Sequence, residues 1–434
     1  MGHSVGPTRW KAEVDDLFDR VAGRFTRVET RRRARGFVLG LLADLPRKNR
    51  WSIAEHAGDR DPHGMQHLLG RARWDTDGVR DELRDYVVEH LGDPDGVLVV
   101  NETGDLKKGS HTVGVQRQYT GTAGRIENAQ VAVYLAYAGA RGHAMIDREL
   151  YLPKSWTRDR ERCAAAGVPE DVTFATKPAL ARTMLVRALD AGVPAGWVSG
   201  DEVYGADPKL RGELEDRLVG YVLAVACDHR CPTGAGKLTA KELAADLPKR
   251  AWQRLSAGPG AKGERRYDWA LIALTPPVGA DQPTGRWWLL VRRHRRTGEL
   301  AYYRCYAPRP VPLRELVRVA GRRWIIEESF QAGKGLAGLD QHQVRRWTSW
   351  RRWTLLAMLA HALLAVLAAT EPDHTPTPAG LIPLTCNEIR RLLAALVLTP
   401  ARALASLYAW SIWRRRHQQR AKTSHYERQQ AEAA

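Results

Sequence analysis

Residues 97–139 read VLVVNETGDLKKGSHTVGVQRQYTGTAGRIENAQVAVYLAYAG. Val97 to Asn101 form a short, mostly β-branched apolar run, bounded by Gly96 before it and Thr103-Gly104 after it. Such a run predicts a buried central strand. Val113, Val115, Arg117 and Tyr119 alternate onto one face of a second strand. Gly121 to Gly124 turns the chain, and Gln130 to Tyr137 supplies a third strand. Three successive strands with tight turns predict an antiparallel meander. His143 to Leu152 extends it.

Downstream, TKPALARTMLVRALDA (176–191) predicts an amphipathic helix. Trp197 to Asp201 is a brief strand running into Glu202-Val203-Tyr204-Gly205. Asp207 to Leu218 reads as a helix and Tyr221 to Cys227 as a buried strand. The order βββαβαβ is that of a mixed α/β fold with an RNase H-like core. Residues 228–310 change character. Gly- and Pro-rich turns (SAGPGAKG at 256–263, TPPVGADQPTG at 275–285) separate YDWALIAL (267–274), RWWLLVRR (286–293) and AYYRCY (301–306). They predict a β-rich insertion with a helix at 239–246. Trp287 and Trp288 within it fit a core, or a platform for an unpaired base. The expected layout is a helical N-terminal domain (1–92), a first core part (93–228), the insertion (229–310), a last core part (311–372), and C-terminal helices with a flexible basic tail (373–434).

The N-terminal region is helical and basic. Arg31, Arg32, Arg33 and Arg35 lead into FVLGLLADL, which Pro46 stops. Ser52 and Glu55 have the spacing of a capping box, so a helix is expected to start there. A second helix follows at 63–74 with Gln66, His67, Arg71 and Arg73 outward. This pair has the form of a helix-turn-helix duplex reader. Across all 434 residues, Lys plus Arg number 67 against 49 Asp plus Glu, a net +18 that points to a polyanion partner, most often nucleic acid. Trp353 to Ala369 is apolar but short for a membrane span and contains His361, so it predicts a buried helix around a core histidine, with no membrane partner. The five scattered cysteines imply no disulfide framework and fit a reducing cytoplasm.

Arg318 to Lys334 reads RVAGRRWIIEESFQAGK. As one helix, Arg323, Glu327 and Lys334 share a stripe, a carboxylate with a cation on each side, while Glu328 points about 100° away. The stripe fits either a solvated ion-paired face or a metal-dependent site on a phosphate backbone. Asp201 ends an apolar strand and is a second acid. At the end of the first strand, where a third is expected, stands Asn101.

These stretches resemble insertion-sequence transposases of the DDE type, the branch with a β-rich insertion before its last glutamate. The resemblance covers roughly residues 20–370. It rests most on VLVVNETGDLKKGSHTVGVQRQYTGTAGRIENAQVAVYL, WVSGDEVYG and GRRWIIEESFQAGKGLAGLDQHQVRRW. It implies Mg²⁺ (or Mn²⁺) dependence, double-stranded DNA as partner (element ends and target), strand cleavage and transfer, a homodimer in a synaptic complex, and a cytoplasmic, nucleoid-associated location. By position, it makes Asp201 and Glu327 catalytic metal ligands and Arg323 and Lys334 phosphate contacts. Lys107 and Lys108 are expected beside them on phosphates. Two positions depart from the pattern: Ala320 where Tyr is expected, and Asn101 where the first Asp is expected. An amide offers a carbonyl oxygen without charge and is a weakened ligand. Strand alternation turns Glu102 away, and Asp105, expected in a turn beyond Gly104, is a weaker substitute. Two readings follow: a transposase with impaired catalysis, or an inactive transposase-derived DNA-binding protein or repressor.

Overall fold

The computed structural model describes residues 6–260, 263–276, 284–374, 377, 381–398 and 404–433. The Gly- and Pro-rich turns expected at 256–263 and 275–285 lie partly outside these residues. Two compact units divide the chain: Met1–Glu82 with Gly333–Ala434, and Leu83–Ala332. The helical segments from the two ends thus make one unit.

That helical unit packs around Trp347–His374, a 28-residue helix. By length and composition it could cross a membrane, yet 83% of its most apolar window is buried inside the protein. Helices Val28–Leu42, His63–Gly70 and Cys386–Leu396 lie against it. Phe37 meets Trp353 edge-on at 5.2 Å. His361 is buried in this helix, as expected of a core histidine. Arg352, also buried, donates to the Leu68 and Ala72 carbonyls. Burial pushes its guanidinium down to about 10.

The expected helix pair is Arg50–His56 and His63–Gly70, with Gly58 left-handed between them. His67, Arg71 and Arg73 are exposed and Gln66 partly so. The capping box sits three residues earlier than expected. Asn49 Oδ1 accepts from the Trp51 and Ser52 amides at 2.8 and 3.1 Å, and the Ser52 hydroxyl receives the Asn49 amide. Asn is as good an N-cap as Ser, and Glu55 is drawn instead to Arg414 at 2.7 Å. The tail expected to be flexible continues the helix Leu404–Ala433.

In the second unit the strands are β1 Val97–Leu106, β2 Gln116–Thr120, β3 Arg125–Ala138, β4 His143–Leu150, β5 Trp197–Gly200 and β6 Gly220–Val225. The insertion adds β7 Arg230–Thr233 and β8 Gly236–Thr239, a separate hairpin, then β9 Gln253–Gly260, β10 Gly263–Leu274, β11 Arg286–Arg293 and β12 Leu300–Ala307. One ten-stranded sheet runs β2-β3-β1-β5-β6-β12-β11-β10-β9, with β4 also on β3. β1, β5 and β6 are mutually parallel and β3 and β4 antiparallel, which is the RNase H-like core. Val97 to Val100 are fully buried because helices and strands cover both faces of a central parallel strand. The insertion prolongs this sheet through the antiparallel pair β6–β12.

Two strand expectations change. β2 begins only at Gln116; Val113 and Val115 are buried outside any strand, and β2 sits at the sheet edge on β3. β1 does not end at Asn101 but runs to Leu106, so Asp105 is a strand residue, ion-paired with Lys107 at 3.9 Å. Gly104 is not a turn residue: a Cβ there would meet the Thr120 hydroxyl at 2.2 Å.

Candidate active site

β5 ends beside the middle of β1, with Val100 paired to Gly200. Asn101 and Asp201 are the next residues on these two parallel neighbours. Open α/β sheets place their sites at such strand ends. The segment Ser199-Gly200-Asp201 leaves the sheet tightly. A Cβ at Gly200 would lie 2.9 Å from Val100, and one at Gly205 would strike the Ala224 carbonyl at 1.8 Å. The two glycines let the short helix Glu202–Gly205 sit directly on β6. Asp201 caps that helix, its Oδ1 accepting from the Val203 amide at 2.9 Å. Burial first, then the charge of Glu102, pushes the Asp201 carboxyl up to about 6; the Val203 amide and Arg323 act against this.

Asn101 is 7% exposed. Its Nδ2 donates to Glu327 Oε1 at 2.9 Å, and its Oδ1 accepts from the Glu102 amide at 2.9 Å. The sequence-predicted pair 101 and 327 therefore meets, 226 residues apart in the chain. An aspartate at 101 would set two carboxylates against each other, an arrangement that needs a cation or a shared proton between them. The amide supplies an N–H donor in that place.

Glu102 takes different partners, as strand alternation requires. Lys177 Nζ donates to its Oε1 at 2.7 Å and the Tyr204 hydroxyl to its Oε2 at 2.6 Å. Both oxygens are engaged, so Glu102 does not replace the missing charge beside Glu327. Burial and the Glu102 charge hold the Tyr204 hydroxyl well above its usual range. Sequence reasoning missed the part Lys177 and Tyr204 play here. Tyr204 carried a signal, three residues after Asp201 in a tight Gly-bounded turn; Lys177 carried none.

The single helix expected over 318–334 is two helices, Leu313–Arg322 and Ile325–Ala337. Arg323 is the C-cap of the first, and i→i+3 bonds such as Glu327 N to the Trp324 carbonyl (3.1 Å) tighten the joint. The continuous stripe therefore breaks after Arg323, while Glu327 and Lys334 stay seven residues apart on one helix. Glu328 turns aside, its Oε2 lying 3.5 Å from His143 Nε2. That contact lowers the Glu328 carboxyl. His143 Nδ1 meets the Ser329 hydroxyl at 2.8 Å. Of the other named residues, Lys108 is exposed, Trp288 partly exposed, and Trp287 only 5% exposed against Tyr306 at 5.2 Å. Trp287 is a core residue, with no free face for a base.

Two-metal phosphodiester chemistry needs hard oxygen ligands and a carboxylate bridging both ions. Asp201 and Glu327 are such donors. Asn101 is not a bridge: its oxygen takes a backbone amide, and its nitrogen faces Glu327. Among the described residues, no group of three or more His, Cys, Asp or Glu forms a metal cluster. Asp201 and Glu327 thus lack, at position 101, the bridging carboxylate that a two-metal centre uses.

Residues 20–254 match the DDE superfamily endonuclease family. A probable transposase for insertion sequence element IS701 from Microchaete diplosiphon is 30% identical over 194 residues, 44% of this chain and 48% of that protein. The chain thus spans about half the length of the curated relative it matches. Among solved structures, a piggyBac transposase synaptic complex with hairpin DNA shares 10% identity at a TM-score of 0.41, over 92% of this chain and 81% of that one. The NurA nuclease from Sulfolobus solfataricus shares 10% at 0.27, over 56% and 80%. The family match takes in Asn101 and Asp201 and stops before Glu327, which enters the site through its bond to Asn101. Because the match extends over more than half of its 434 residues, the chain belongs to the DDE superfamily of endonucleases.

Proposed function

We propose that this chain is a DDE-type insertion-sequence transposase that binds double-stranded DNA at element ends and whose strand cleavage is impaired by Asn101. One observation carries the reading: the Asn101 amide donates to Glu327 where a first carboxylate would share a cation with it. Family membership supports a divalent metal, Mg²⁺ or Mn²⁺, as the cofactor. Asp201 and Glu327 are its proposed ligands, with Arg323, Lys334, Lys107 and Lys108 on DNA phosphates. The net charge of +18 supports a polyanionic partner. A homodimer follows if two ends are held together. Cytoplasmic, nucleoid-associated residence is part of the same reading.

The test compares the native chain with Asn101→Asp on a duplex carrying the repeats that flank the gene, in Mg²⁺ and in Mn²⁺. Binding by both chains with cleavage by the variant alone is the expected result. Cleavage by the native chain at the variant's rate removes the impairment. Binding with no cleavage by either favours the second reading, a repressor-like DNA-binding protein, which the satisfied hydrogen bonds of Asn101 also suit.

A further inference from the structure

The hairpin made by β2 and the start of β3 carries large apolar side chains in the open. Tyr119 is 63% exposed and Ile126 58%. They are direct cross-strand partners, and Arg117, two residues from Tyr119, shares their face. An exposed aromatic–aliphatic pair joining the edge strand β2 to β3 is a liability unless something covers it. The surrounding charge says what does. From Asp105 to Glu127 the sequence holds Lys107, Lys108, Arg117 and Arg125 against Asp105 and Glu127, an excess of two positive charges. Arg125 pairs with the following Glu127 at 2.9 Å, a contact of an arginine side chain that is 75% exposed and so easily exchanged for a phosphate.

Side-chain hydrogen bonds also brace the hairpin. Asn128 Nδ2 donates to the Lys107 and Gly109 carbonyls, Gln118 Nε2 to the Ala129 carbonyl, and the Thr122 hydroxyl to the Gly104 carbonyl. Gly124, at φ 65°, closes the turn. A braced two-stranded ribbon with cations beside an apolar tip suits a groove of duplex DNA, where such side chains press between or against base steps.

We propose that the β2–β3 hairpin is a duplex-groove ribbon, with Tyr119 and Ile126 against the bases, Arg117 on their face and Arg125 from the opposite face reaching the flanking phosphates. The inference rests on the DNA-binding reading above and adds a contact that reading does not assign. Register also gives its reach. Asn101 pairs with Tyr134 on β3, and Ile126 lies eight residues before Tyr134. At about 3.4 Å per residue this is at most about 27 Å, or about eight base pairs at 3.4 Å each. The ribbon would meet the duplex within that distance of the phosphate held beside Asn101.

The experiment is fluorescence anisotropy with the full chain and a labelled mixed-sequence duplex about 30 base pairs long, some three helical turns, across a salt series. Tyr119→Ala with Ile126→Ala should weaken binding about tenfold, the order of one lost base contact, with an unchanged salt slope. Arg117→Ala with Arg125→Ala should lower that slope by about two, one per phosphate contact. Tyr119→Trp in the Ile126→Ala background should bind at least as tightly as Ile126→Ala alone. Melting temperatures near the native value show that these exposed changes leave the fold intact. If the native chain binds and both double variants bind equally well, the ribbon is overturned while DNA binding stands. If the apolar variant alters only the salt slope, the groove contact is overturned. If the native chain does not bind the duplex, the underlying reading falls with it.

Discussion

Asn101 and Glu102 are neighbours on one strand, yet they meet opposite environments. Asn101, neutral, donates to the Glu327 carboxylate. Glu102, charged, is held by a lysine and a tyrosine hydroxyl. On one face the chain lacks a negative charge where the resemblance implies one. On the other it retains a carboxylate saturated by its own partners. A change of charge within a strand is thus not made good by the next residue, because alternation sends consecutive side chains to different partners.

The largest expected effect reverses the neutral face. Asn101→Asp should raise metal-dependent nicking at least about a hundredfold, since outer-sphere changes alone shift metal sites by about 10–100-fold. The variant should also melt several degrees lower than the native chain in chelator and recover in Mg²⁺, because two carboxylates about 3 Å apart repel without a cation. A melting temperature that ignores the metal would show that positions 101 and 327 do not share one.

Next comes the charged face. Glu102→Gln leaves Lys177 without its carboxylate and weakens the Tyr204 bond. The expected loss is about 1–3 kcal/mol, read by urea denaturation, with Lys177→Met partly suppressing it in the double variant. Additive losses would show that the two do not act as a pair.

Asp201 is coupled to the charged face, since burial first and then the Glu102 charge raise its pKa to about 6 from the ordinary 3.8. The folded form therefore binds the proton more tightly than the unfolded one. This contribution is full below about pH 4 and is lost as pH rises through about 6. Asp201→Asn should remove that slope and raise the melting temperature at neutral pH by a few degrees; an unaltered pH profile would contradict the coupling. The smallest effect belongs to Glu328→Ala. Its lowered carboxyl stabilises above the ordinary value and loses that effect on acidification. Its half-exposed contact with His143 is worth about 1 kcal/mol or less, and nicking by the Asn101→Asp background should not change.

The strands of the core and insertion were legible because apolar β-branched runs between Gly and Pro are local signals. VLVV, WVSG and the three segments of the insertion all form strands. The strand-end position of Asp201 was legible for the same reason, since SGD is a strand-to-turn junction. Less legible was the joint at Arg323. Its neighbours are good helix formers, and only the tertiary packing of the Ala257 carbonyl against Gly321, where a Cβ would approach to 1.9 Å, marks the place. Nor could local pattern tell Trp287 in the core from Trp288 beside it, since a strand covered on both faces has no alternation to read.

The sequence by itself determined that residue 101 carries no charge, that a carboxylate follows it, and that each sits at the end of an apolar run. Composition determined the excess of positive charge. Only the tertiary structure decided that the amide of Asn101 turns its N–H to Glu327 and that Glu102 is spent on Lys177 and Tyr204. Those partners lie 226, 75 and 102 residues away. No local signal spans such distances; sheet register and helix packing bring the groups within 3 Å, and hydrogen-bond geometry then settles which atom meets which.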